Sequence, residues 1–314
     1  MTPNVDMRES NIELLKILAM SMILIHHFMV HVLEKANVAT EFVNLCNPWL
    51  YYGVNLFFMI SGTFMVNCKI KSIIKLAAMV SFFNIINLAV LHILGADLSI
   101  VFIVRSILFP MTEAGYWFLM VYFFLIIISP VLNLGLRKMS DSELTGFVIV
   151  LVIANFYSNA FGFNFVNLDG YSFFQGMLMY ILGYYLSRMR IHQNITKVAC
   201  VITVIAVSTI SGVTKEIQQI MPNAYFDILK SHLWNYNGVC MIGGSVAIMF
   251  LFKKIEFKSR MINSIASASL GCYLLQEGFV GCRFIYKWQR GYVLEHSIMD
   301  TIIMFGGTFV AFWA

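Results

Sequence analysis

Apolar windows about 20 residues long recur from one end of the chain to the other, and the charges are confined to the gaps between them. A helix needs about 20 such residues to cross roughly 30 Å of hydrocarbon, where every backbone amide must find its partner within the helix. Hydrophobic residues make up 60% of the 314 and charged residues 12%. A soluble domain runs at about half apolar and about a quarter charged. Ten spans are predicted, near 12–33, 50–67, 72–94, 116–135, 144–162, 171–188, 195–213, 236–253, 261–281 and 296–314. The expected fold is an all-α integral membrane protein, a bundle of about ten transmembrane helices in a single domain over 1–314. No fixed-period repeat and no Pro- or Ser-rich linker divides it. The short stretch SIVFIVRSILFP before Pro110 holds Arg105 and reads as interfacial or re-entrant. The first apolar run is too long for a signal-peptide core, so it reads as a retained span. The last one runs to Ala314 with no basic stop behind it.

Charge sets the expected orientation. In membrane proteins Lys and Arg accumulate in cytoplasmic loops, so the net charge of +5 reports topology and not a nucleic-acid partner. With the N-terminus inside, 14 of the 21 basic residues fall on the inner side and 7 on the outer. The expected location is the inner or plasma membrane, multi-pass, with a cytoplasmic N-terminus. One outer loop dissents with Arg283, Lys287 and Arg290. It suits either docking of an anionic glycan or ordinary interfacial anchoring. The six cysteines show no paired spacing, so neither a disulfide framework nor a metal site is expected.

The first span, NIELLKILAMSMILIHHFMVHVLEK, carries ionisable residues where each must find a partner or water. Lys16 and His27 are eleven residues apart, which puts them within roughly 20° of one helix face and about 16 Å apart along the axis. Glu13, His31 and Glu34 lie within about 60° of the same line, whereas His26 points roughly 80° away from Lys16. The stripe is expected to face a polar cavity inside the bundle. Snorkelling to the two interfaces explains its ends but not the deeper His27. Imidazole can take a proton from a sugar hydroxyl near neutral pH, which suits His27 to general-base catalysis. Lys16 would offer a fixed positive charge to an anionic donor arriving from the cytoplasm.

Further candidates for substrate binding lie elsewhere. In GVNLFFMISG, Asn55 and Gly62 share a face, and Gly62 allows close approach of a neighbouring backbone. Ser61 can be read as a nucleophile, although a serine in a membrane helix usually bonds back to its own helix. Glu113, Trp117, Gln175, Tyr236, Asn237, Tyr273, Gln276 and Glu277 are polar or amphipathic groups near helix ends. Taken singly, each fits helix packing or an aromatic belt equally well.

Together these segments resemble acyltransferase family 3, the multi-span membrane O-acyltransferases that decorate surface polysaccharides. NIELLKILAMSMILIHH is similar to the family's opening segment, in which a basic residue precedes a histidine by eleven positions, here Lys16 and His27. GVNLFFMISG, YWFL followed by Ser129 and Pro130, YNGVCMIGGSVAIMFLFKKIEF and SLGCYLLQE resemble later segments in the expected order. The resemblance implies transfer of an acyl group, acetyl above all, from acetyl-CoA or another acyl-CoA to a glycan hydroxyl. His27 would be the essential residue and Lys16 its basic partner, with membrane lipid as surroundings and no bound cofactor or metal. Two positions depart from the family pattern. Lys16 stands where arginine is common, and lysine makes no forked contact to phosphate. Gln276 stands where histidine is frequent, and an amide carries no proton. A different class of reading is an exporter or permease with the stripe along its path, which would call for discontinuous helices in two related halves. No such halves are found.

Overall fold

Wherever the apolar runs are described they contain helix, though many are shorter or more broken than a plain bilayer span. The computed structural model describes residues 9–113, 115–160, 168–222 and 232–314, and no strand occurs among them. The helices are α1 (Ser10–Phe28), α2 (Thr40–Cys46), α3 (Tyr52–Thr63), α4 (Ile70–Ile93), α5 (Ile100–Leu108), α6 (Pro110–Glu113), α7 (Trp117–Lys138) and α8 (Asp141–Ala160). They continue as α9 (Phe173–Arg188), α10 (Lys197–Ile220), α11 (Val239–Lys253), α12 (Arg260–Ser267), α13 (Ser269–Gln276), α14 (Tyr286–Glu295) and α15 (Ile298–Trp313).

Five helical stretches are long and apolar enough to cross a membrane: Ser10–Glu34, Ile70–Ile93, Trp117–Lys138, Asp141–Ser158 and Lys197–Ile220. The expected count of about ten therefore leans on shorter segments. The second predicted span is a helix of only 12 residues, about 18 Å at 1.5 Å per residue. The ninth is broken at Ala268 into α12 and α13. Helix α10 reaches Ile220, inside the loop expected over 214–235, and residues 223–231 of that loop lie outside the described residues.

Helix α3 can be short because it is interior. Ten of its residues are buried, and it packs backbone to backbone against α9. A Cβ on Gly62 would meet the Tyr180 carbonyl, and one on Gly183 would meet the Met59 carbonyl. Glycine is needed at both places for so close a crossing. The outer helices behave differently. Ile202 and Ile205 on α10 and Ile302 and Ile303 on α15 are exposed, as surfaces facing lipid should be. In α7, Pro130 cannot donate to the Ile126 carbonyl, and the Ser129 hydroxyl does so instead at 2.8 Å. The segment around Arg105 is the short helix α5, tied to α4 by Asn84, whose amide donates to the Ser106 and Pro110 carbonyls at 2.9 Å each.

Candidate active site

Helix α1 is regular as far as Phe28 and then widens into π-type turns over Met29–Glu34. Such widenings re-aim side chains and are frequent at functional sites. His27 stands one residue before the change. Opposite it, the chain leaves α13 at Glu277 and resumes as a π-type turn over Gly281–Ile285. A backbone break inside a membrane bundle must have its free amides satisfied. The Asn87 side-chain oxygen accepts from the Val280 amide at 2.9 Å, while the Asn87 amide donates to the Phe83 carbonyl at 2.9 Å. A Cβ on Gly281 would collide with the Gln276 carbonyl, so the turn requires glycine there.

This break delivers the carboxylate of Glu277 to His27, 2.9 Å from Oε1 to Nδ1. The Gln276 side-chain oxygen lies 3.2 Å from the same nitrogen, and its amide donates to the Leu24 carbonyl at 3.2 Å. An ionised carboxylate only accepts, so Nδ1 carries a proton, and in the neutral imidazole Nε2 then keeps its lone pair. The Tyr286 hydroxyl donates to Glu277 Oε1 at 3.3 Å, and the His31 ring stacks on Tyr286 at 5.1 Å. A carboxylate that fixes the tautomer and orientation of a histidine is the arrangement by which an imidazole becomes a directed base. Glu277, recognised in the sequence only as a polar group near a helix end, is therefore central. Its signal was an acid beside an apolar run, in SLGCYLLQE.

The same groups offer a metal set. Ligand atoms of His27, His31 and Glu277 lie within 4.8 Å of one another, and two imidazoles with a carboxylate suit zinc.

His26 is engaged otherwise. Its Nδ1 lies 2.6 Å from the side-chain oxygen of buried Asn47, and its ring packs at 4.7 Å on Tyr51. Lys16 also departs from expectation. It pairs with Glu13 at 2.9 Å and borders an apolar cavity of about 430 Å³ with Ile23, Ser61, Leu119, Tyr122 and Tyr273, of which His27 is not a wall. Lys16 and His27 thus share a helix face without sharing a cavity, because Met20 and Ile23 fill the intervening turns and wall the Lys16 side. Tyr273 lines the same cavity, its hydroxyl buried against the Phe118 backbone. Ser61 donates back to the Phe57 carbonyl at 2.9 Å, as membrane serines commonly do.

Two binding candidates hold the scaffold together. The Asn55 amide donates to the Tyr236 carbonyl at 2.8 Å, and its oxygen accepts from Gln175 at 3.1 Å. The Asn237 carbonyl accepts from the Asn155 amide at 2.8 Å. Trp117 begins α7 with its ring 4.6 Å from Tyr171 and 5.8 Å from Tyr236, and Tyr51 reaches Tyr236 at 5.1 Å. Glu113 ends α6, and its side chain lies outside the described residues, as does that of Arg283 in the basic loop. All six cysteines are free thiols.

The acyltransferase domain family matches residues 9–314, essentially the whole chain. No curated protein and no solved structure matches it.

Proposed function

The chain belongs to this membrane acyltransferase family, and we propose that it moves an acyl group, acetyl in the first place, from a coenzyme A thioester to a hydroxyl of a cell-surface or exported glycan. The observation that carries the reading is the His27–Glu277 pair, 2.9 Å apart at the meeting of two irregular helix segments. His27 Nε2 takes the proton of the acceptor hydroxyl as its oxygen attacks the thioester carbonyl carbon. The carbon–sulfur bond breaks, and the thiolate leaves with the proton returned by the imidazolium. Glu277 holds the ring and stabilises the charged imidazolium between the two transfers. Gln276 needs to carry no proton in this scheme. It accepts at Nδ1 and ties the ring to α1 through Leu24.

The donor enters from the Lys16 side. Lys16 meets the anionic part of coenzyme A and the 430 Å³ apolar cavity takes its pantetheine arm, whose thioester must pass Met20 and Ile23 to reach His27. Orientation follows the basic-residue bias, with the N-terminus in the cytoplasm and the acceptor on the far side of the plasma membrane. Transfer of labelled acetyl from acetyl-CoA to cell-surface glycan, compared between wild type and His27→Ala, tests the reading. Label in the glycan that depends on His27 upholds it, and equal label in both proteins rejects it.

A further inference from the structure

A second cavity, of about 520 Å³, opens beyond the His26 end of α1. Its wall on the first helix is Val30 and Glu34, three and seven residues past His27, so it begins roughly 5 Å further along the axis. Its chemistry is unlike that of the Lys16 cavity. The amides of Asn37, Gln219 and Asn235 line it, with one acid, Glu34, and one base, Lys215, among the described residues. Tyr51 and Trp234 supply aromatic walls, and Tyr51 is the residue that packs on His26. Trp234 is 5% exposed, yet its indole N–H has no acceptor among the described residues. A buried donor left open costs stability, and an acceptor reaching it from the cavity would remove that cost.

We infer that this cavity is a sugar subsite for the acceptor, built for an uncharged pyranose. Hydroxyls both donate and accept, as amide side chains do, and the apolar face of a pyranose suits an aromatic wall. Among the described residues one acid and one base line the cavity, and Glu216 and Asp169 bond to its Asn44 and Asn235 amides, so an anionic sugar gains no advantage. The volume falls within the range of small-ligand sites. The link from this subsite to acyl transfer rests on the function proposed above, whereas the binding itself does not.

The full-length protein in nanodiscs, titrated with the methyl glycosides of glucose, galactose and N-acetylglucosamine and with glucuronate as the anionic control, tests this by ligand-detected NMR. At least one neutral glycoside should bind saturably and more tightly than glucuronate. Trp234→Phe keeps an aromatic side chain but loses the N–H, and it should weaken that binding about tenfold. Gln219→Ala gives a second reading should the first variant fold poorly, as judged by its melting temperature. In a transfer assay, Trp234→Phe should raise the KM for the glycan and leave that for acyl-CoA unchanged. The subsite is overturned if no neutral glycoside binds, if glucuronate binds best, or if both variants bind like wild type. Should glycosides bind as expected while acyl-CoA supports no transfer, the transferase reading falls and the subsite stands. Transfer with Trp234→Phe unaltered in binding and KM has the opposite meaning.

Discussion

His26 and His27 are neighbours at one depth in the same helix, and they differ in what surrounds them. His26 points into a closed structural contact, hydrogen-bonded to Asn47 and packed on Tyr51. His27 points at the place where α13 ends and meets a carboxylate, an amide and a second histidine. A buried polar group that completes a fixed network specifies the fold. One held by a carboxylate at a backbone break, with a ring nitrogen to spare, is equipped for proton transfer. Depth and residue type are shared, so the two histidines differ chiefly in their partners.

The largest effect that would break this contrast is at His27 itself. General-base help is worth about 10²–10⁴ in rate, so His27→Ala should lose activity on that scale with normal protein level in the membrane. Glu277→Gln keeps the shape but lets the ring choose its tautomer, and it should cost up to about 10⁴-fold in kcat. The same assay in excess EDTA should leave wild-type transfer intact. Loss of transfer there would make His27, His31 and Glu277 a metal centre instead. Lys16→Ala should raise the KM for acyl-CoA by about tenfold or less with little change in kcat, and Lys16→Arg should restore it through forked phosphate contacts. An unchanged donor KM in Lys16→Ala would leave Lys16 an interfacial anchor. The smallest effect belongs to His26→Ala, which strands Asn47 at a cost of about 1–3 kcal/mol in stability. Activity per folded molecule should stay within a few-fold of wild type, with any loss tracking the melting temperature.

Part of this site was legible beforehand. The azimuths that separate His27 from His26 could be read because α1 is regular through Phe28. The stripe joining Lys16 to His27 was legible as a face, but not its division. Lys16 is drawn to Glu13 one turn away, and the apolar residues between the two ends close the gap. Glu277 was beyond reach, since it lies 250 residues from His27 and is brought there by a break that Asn87 and Gly281 make possible. The spacing placed Asn55 on one face with Gly62, but a buried amide also needs a hydrogen-bond partner. That partner is the Tyr236 carbonyl, which sequence spacing does not reveal. Periodicity marked α3 as apolar, yet only the packing of Gly62 on α9 explains why it needs no more than 12 residues.

The pH dependence of kcat/KM, measured on wild type and His26→Ala side by side, tests the central claim most directly. A base must be unprotonated to act, so activity is low where imidazole is charged and rises with pH as the proton leaves. Both proteins should therefore show the same ascending limb within about pH 5–8, the range in which histidine titrates. A flat profile in wild type, or a limb that disappears in His26→Ala, would contradict the assignment of His27 as the base.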